Sequence, residues 1–406
     1  MSTVRLLLSC LLFKEVISLS GNFWHITDLH WDPTYELSDD PQLVCQSSGK
    51  RPAANAGKFG DYACDSPWLL INSSVYAMKD ILPDPDFIVW TGDDTPPADL
   101  GEEVVLPIIS NLTHIISQVF PNTKVYSALG NHDFHPKSQL PAGPDDIYDQ
   151  TAEMWQDWLD PASKETFKKG GYYTEKLLNR TGFRMLVLNT NLYYDQNKKI
   201  KNMVDPAGQF TWADQVLTEA ANNKEKAKHL YYLCIATGVY IIGHVPQVSL
   251  RRREISRGSP ISTMFLSPGV TPWKTSLPGV LDGANNPGIR VFEYDTQTLL
   301  VKAMGAGKEY RLTESFRLPD ASPASMHQAL GRIASDHGYL QKYYEFNSVN
   351  YDLTECNSDC RVDHVCAARE VDFDRYERCL VTEGAAAIYS GLLPVLSVAV
   401  SVLLAN

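Results

Sequence analysis

Two residues apart, Asp28 and His30 close the run Trp24-His25-Ile26-Thr27-Asp28-Leu29-His30. On an extended backbone that spacing puts a carboxylate and an imidazole on one side, a pairing that suits a divalent cation. Three further apolar runs end in polar turns of the same kind. Thr91-Gly92-Asp93-Asp94 places a carboxylate beyond a glycine, where it could bridge two metals through its two oxygens or simply cap a helix. Gly130-Asn131-His132-Asp133 offers a neutral amide oxygen at Asn131 and, at His132, an imidazole able to act as an acid. Ile241-Ile242-Gly243-His244 ends in Gly-His again. Each fragment alone has an ordinary structural reading. Their order along one chain, D-x-H, G-D, G-N-H-D and G-H, points to a metal centre assembled from strand ends.

Such a centre needs a sheet whose strands deliver these loops to one place. Strand-like runs fall at Phe23–Thr27, Phe87–Thr91, Val125–Leu129, Met185–Asn189, Tyr231–Ile242 and Ile261–Leu266. Helical stretches at Ser66–Leu82, Glu102–Phe120 and Ile147–Leu159 separate the early ones. Alternation of this kind predicts an α/β sheet with helices on both faces, with active groups collecting beyond the carboxyl ends of the strands. Ile289–Tyr294 and Thr298–Ala303 read as a late antiparallel hairpin, so strand directions should be mixed.

The 406 residues carry 36 Lys and Arg against 48 Asp and Glu, a net charge of −12. So acidic a chain has no general attraction for nucleic acid, and nucleic-acid binding is not expected. If it handles phosphate, a local cation must reverse the field. The first 20 residues read as a signal peptide: Arg5 precedes the apolar run Leu6 to Phe13, and Ser18-Leu19-Ser20 offers a cleavage site before Gly21. Sequons at Asn72, Asn111 and Asn179 agree with export. Cys45 and Cys64 bracket a loop rich in Gly, Pro and Asn, where a disulfide would replace missing core. Cys356, Cys360, Cys366 and Cys379 could staple a small helical appendage; zinc binding by the four ranks lower, because no CxxC pair occurs. Cys234, in an apolar run, reads as a buried thiol. From Ala385 to Leu404 the chain is almost wholly apolar behind small residues, the pattern of a signal for a glycosylphosphatidylinositol anchor. A retained transmembrane helix is the alternative. Either places the globular part outside the cell, on the plasma membrane or secreted. The expected organisation is a signal peptide at 1–20, a catalytic domain at 21–324, a Cys-rich helical subdomain at 325–383 and a hydrophobic anchor tail at 384–406.

The runs FWHITDLHWDP, GDYACDSPW, DFIVWTGDDTP, KVYSALGNHDFHP, VLNTNLYY, MFLSPGVTPWK and GANNPGIRVFEYD, with the terminal Cys cluster, span nearly all of this sequence. In them the chain resembles the calcineurin-like metallophosphoesterases, and closely the acid sphingomyelinase-like phosphodiesterases. That resemblance implies a central β-sandwich of mixed sheets flanked by helices, with a small disulfide-stapled C-terminal helical subdomain. It implies two zinc ions, one held by Asp28 and His30, both bridged by Asp93, the second held by Asn131 and His244. The implied reaction is in-line attack of a metal-activated water on a phosphate diester of nucleotide or phospholipid-headgroup type, with His132 protonating or stabilising the leaving oxygen.

The sequence departs from that family in two places. A fifth motif, Gly-His-x-His, should lie between His244 and Ile261, yet Val245 to Pro260 contains no histidine and instead carries Arg251, Arg252, Arg253 and Arg257. Five of the seven implied ligands are therefore present. The histidine often found a few residues beyond the second motif is also missing from Thr95-Pro96-Pro97-Ala98. His327, His337 and His364 fall in the helical appendage, where nothing in their spacing marks them as replacements. The departures lead to a second expectation, a catalytically impaired surface protein that keeps the scaffold to bind lipid or a receptor.

Overall fold

A computed structural model describes residues 20–177, 184–223, 225, 265, 267–274, 283–298, 301–305, 310–370 and 374–383. Its centre is a mixed five-stranded sheet. The strands are β1 (Ser20–Ile26), β2 (Phe87–Trp90) and β3 (Val125–Ser127), and the later pair numbered β8 (Arg290–Asp295) and β9 (Val301–Gly305) in chain order. Their order across the sheet is β3-β2-β1-β8-β9. The first three run parallel, and β8 and β9 are antiparallel to their neighbours. Between them in sequence come the helices α1 (Trp68–Ile81), α2 (Val105–Val119), α3 (Asp146–Met154) and α4 (Pro161–Gly170), the strands β4 (Tyr173–Lys176) and β5 (Arg184–Val187), α5 (Gln209–Asn222), and the short strands β6 (Trp273–Lys274) and β7 (Ala284–Asn285).

β1 is central because its side chains are buried on both faces and it finds partners on both edges. Phe23 sits in register with Phe87 on β2 and Phe292 on β8, and its ring stacks on both, at 4.6 and 4.9 Å. Such cross-strand aromatic pairs fix the register, and a one-residue slip would turn Trp24 and Ile26 to the face that Phe23 and His25 now occupy. Trp24, Trp90 and Trp155 are fully buried, and each indole N–H finds an acceptor: the Leu82 carbonyl, Asp94 Oδ1 and Thr113 Oγ1 respectively. Buried tryptophans need that partner as much as the burial. Buried side chains of α1 to α4 join those of the sheet in one hydrophobic core.

The predicted hairpin appears as β8 and β9, and α1 and α2 fall where the periodicity placed helices. α3 is shorter than predicted. It stops at Met154, where the Trp155 N–H turns back to the Thr151 carbonyl. Trp155 and Trp158 then drop into the core, so their burial reflects tertiary packing rather than a continued helix. β4 pairs antiparallel with β5, and β6 with β7; among the described residues these two-stranded pieces accompany the five-stranded sheet of the expected sandwich. β4 is tied to β3 through Tyr173, whose Oη accepts from the Ser127 N–H and donates to its carbonyl. The predicted run Tyr231–Ile242 lies outside the described residues, as does Ile261–Leu266 apart from Phe265.

A helical region follows β9: α6 (Leu312–Ser315), α7 (Pro323–Ser335), α8 (His337–Asn347) and α9 (Ser358–Arg369). Disulfides Cys356–Cys360 and Cys366–Cys379 staple it, and Cys45–Cys64 closes the loop before α1. Six of the cysteines are thereby spent as covalent staples, not as zinc ligands. Cys10 and Cys234 lie outside the described residues, as do the apolar tail and the segment expected to be a signal peptide, save Ser20, which opens β1.

Candidate metal centre

The parallel arrangement of β1, β2 and β3 brings the first three motifs to one end of the sheet. Asp28, His30 and Asp93 each offer a ligand atom, and these atoms lie within 4.8 Å of one another. His30 Nε2 is 3.6 Å from Asp28 Oδ1 and 3.7 Å from Asp93 Oδ2. Two carboxylates around an imidazole form a donor set suited to a divalent cation. Asn131 adds to the fit: its Oδ1 is buried without a hydrogen-bond partner, while its Nδ2 donates to Ser138 Oγ. A buried acceptor left unmatched is uncommon enough to need a reason, and a cation supplies one.

The convergence of Asp28 and His30 differs from the one expected. They do not sit two apart on an extended strand, because β1 ends at Ile26. Asp28, His30 and Asp93 all adopt positive φ, at 50°, 41° and 56°. Non-glycine residues rarely take that conformation, and the cost persists only where surrounding structure enforces it. Here a ladder between loops enforces it: the N–H groups of Asp28, His30 and Trp31 donate to the carbonyls of Gly92, Asp93 and Asp94. Gly92 and Gly130 let the loops meet. A β-carbon on Gly92 would lie 2.2 Å from the Gly130 nitrogen, and one on Gly130 would lie 2.0 Å from Asp93 Oδ1.

Three supporting residues went unassigned in the sequence. Asp133, fully buried, accepts from four backbone N–H groups: those of Gly130 and Asp93 on Oδ2, and those of Asp94 and Thr95 on Oδ1. It clamps the loop after β2 to the loop after β3. Its place in Gly-Asn-His-Asp was the only available signal. Asp65, buried behind His30, lies 4.0 Å from Nδ1 and is held by Thr271 Oγ1. Lys137 donates to the His132 carbonyl and to Thr95 Oγ1, bracing the same two loops. His132 itself is drawn in by its own N–H, which donates to Asp93 Oδ1 at 3.0 Å. Its ring stands edge-on to that of His30, with centroids 5.0 Å apart, and its Nδ1 has no hydrogen-bond partner.

Charge is concentrated at this end. Burial first, then the charges of Asp28 and Asp133 against the pull of His30, pushes Asp93 well above the usual carboxylate range. Burial and the neighbouring Asp133 do the same to Asp94. For His30, burial opposes protonation most strongly, yet the Asp28 hydrogen bond and the charges of Asp65, Asp93 and Asp28 outweigh it and raise the imidazole to about 9. Burial, then His30 and Lys137, push His132 down to about 2. This is a site of crowded negative charge that a divalent cation would relieve.

His244, the fourth strand-end residue, lies outside the described residues, as does the whole interval 245–260. Of the sequon asparagines, Asn72 lies on α1 and Asn111, exposed, on α2, while Asn179 also lies outside the described residues.

Comparison with known proteins agrees with this geometry. The calcineurin-like phosphoesterase family model matches residues 21–247, and the acid sphingomyelin phosphodiesterase C-terminal region matches residues 304–386. The acid sphingomyelinase-like phosphodiesterase 3b of Mus musculus is 47% identical, over 92% of this chain and 92% of that protein. Its Homo sapiens counterpart is 48% identical, over 90% of this chain and 91% of that protein. The cyclic GMP-AMP phosphodiesterase SMPDL3A of Homo sapiens is 34% identical, over 89% and 90%. The alignment with the mouse protein runs over 435 residues, more than the whole 406-residue chain, so that relative carries positions with no counterpart here. The chain belongs to the calcineurin-like phosphoesterase family, whose fold implies a divalent metal, among its acid sphingomyelinase-like phosphodiesterases.

Proposed function

We propose that this chain is an extracellular zinc-dependent phosphodiesterase acting on small phosphate diesters, nucleotides or phospholipid headgroups, displayed on the plasma membrane by a C-terminal lipid anchor. The observation that carries the reading is the convergence of Asp28, His30 and Asp93, with the unmatched oxygen of Asn131 on the loop after β3 that Asp133 clamps to the loop carrying Asp93. Asp28, His30 and Asp93 would hold one metal; Asn131 and His244, with Asp93, would hold a second. Metal bound there supplies Lewis acidity to phosphate oxygens and acidifies a water. Asp133 and Lys137 keep the loops in register, and Asp65 orients His30 from behind, as carboxylates commonly do for ligating histidines. His132 donates a hydrogen bond to the leaving oxygen. The substrate classes follow those in the relatives' names, sphingomyelinase-like and cyclic GMP-AMP phosphodiesterase.

One observation favours a second reading. Without a histidine in Val245 to Pro260, each metal loses one nitrogen ligand. Losses merely behind the ligands cost about 10–100-fold in affinity, so the same scaffold would serve as a binding protein with weakened chemistry. Metal content separates the two. Two zinc ions per purified chain, a melting temperature that rises on zinc addition, and hydrolysis of an aryl phosphodiester abolished by Asp93→Asn would establish the enzyme. Less than one zinc and no hydrolysis would sink it in favour of the binding protein. Release from cells by a phosphatidylinositol-specific phospholipase C tests the anchor; retention would point to a transmembrane tail.

A further inference from the structure

Some of the most exposed large apolar side chains lie in one loop beside the metal centre. Between Tyr193 and the start of α5, Val204 is 95% exposed and Met203 51%, and at the two ends of the stretch Tyr193 and Phe210, in the first turn of α5, are exposed as well. The rings of Tyr193 and Phe210 pack at 4.2 Å. The same loop presents Lys198, Lys199 and Lys201 to solvent in a chain whose net charge is −12. Of its two acids, Asp205 is turned onto α5, accepting from the N–H groups of Phe210 and Thr211 and from Thr211 Oγ1. Asp195 is the other.

The loop is built as a platform. Asn197 Nδ2 donates to the carbonyls of Leu140 and Asn191, and Asn191 Nδ2 donates to the carbonyl of Leu129, the residue before Gly130. Gln139 exchanges hydrogen bonds with the backbone of Gln196 and Lys198, and Lys199 Nζ stands 4.3 Å over the ring of Phe134. A rigid loop that exposes an aliphatic tip to water gains nothing from it in the free protein.

We propose that loop 193–210 is a docking surface for phospholipid. Met203 and Val204 enter the headgroup region, Tyr193 and Phe210 lie at the interface, and the lysines contact lipid phosphates. Aliphatic tips flanked by lysines and aromatics match what a bilayer surface selects, whereas protein interfaces deplete lysine. Because the loop is braced to residues 129–140, docking would hold the rim of the metal centre at the lipid surface, whatever the turnover there.

Hydrogen exchange on the full chain reads the loop directly and is indifferent to contacts made by the tail. Residues 198–204 should gain protection with phosphatidylcholine vesicles containing phosphatidylserine, and less with phosphatidylcholine alone. Met203→Ser with Val204→Asp should reduce that protection about tenfold, as should Lys198→Glu with Lys201→Glu. Both double variants should melt with the parent, since all four side chains are exposed. Unchanged exchange in the presence of either vesicle would overturn the proposal and leave the loop to a protein partner. Undiminished protection in both double variants would overturn it equally.

Discussion

The two ends of this chain treat carboxylates in opposite ways. At the metal centre, burial and crowding push Asp93 and Asp94 well above their usual range, and Asp28 and Asp93 sit in left-handed backbone. In the C-terminal helices, burial also opposes the ionisation of Asp352, but Thr354 and Tyr344 donate to it and hold it below the ordinary range. Caps there are conventional: Ser322, Asp336 and Asn357 accept from the first turns of α7, α8 and α9. There Asp352 and the helix starts are satisfied by donors close in sequence, although the Tyr343 hydroxyl stays buried without a partner. The metal centre leaves acceptors open and stores strain, as sites committed to an external ligand do.

The largest expected effect falls on the clamp that makes this strained end possible. Asp133→Ala would leave four backbone N–H groups buried without an acceptor and should cost about 4 kcal/mol in chemical denaturation. A cost below about 1 kcal/mol would mean that the two loops hold each other without it.

Next comes the pH response of the helical region. His364 is buried against the rings of Tyr343 and Tyr344. Burial lowers it from 6.5 to about 4, against the pull of Asp352. The folded state therefore holds it neutral while the unfolded chain takes up a proton below about 6.5. Stability should be complete above that pH and fall as pH drops towards about 4, by about 3 kcal/mol. Burial also depresses His25 and His132, so His364→Gln should make that part of the profile shallower by about this amount rather than flat; an unchanged slope would place the titration elsewhere.

The smallest effect tests whether the helical region is held by local rules. Asp336→Ala removes the carboxylate that caps the Tyr339 N–H and should cost about 1 kcal/mol. A much larger loss would show that this end, too, depends on tertiary coupling.

Much of the site was legible because it is written in residue types at strand ends. Asp28, His30, Asp93, Asn131 and His132 could be named from glycine turns and ligand chemistry. The roles of Asp65, Asp133 and Lys137 could not, since a carboxylate that accepts backbone N–H groups looks the same in sequence as one that waits for a metal. α4, α5 and β4 were unread, and α3 was overextended because Trp155 and Trp158 keep a helical rhythm after the helix has ended.

By itself, then, the sequence determined the alternation of strands and helices, the family to which the motifs belong, and the absence of histidine from Val245 to Pro260. Only the tertiary structure decided how Asp28 and His30 meet. Left-handed backbone, held by hydrogen bonds from a loop more than sixty residues away, brings them together, where strand alternation had been expected to do so. Backbone conformation of that kind is set by neighbours distant in sequence, and no local spacing encodes it.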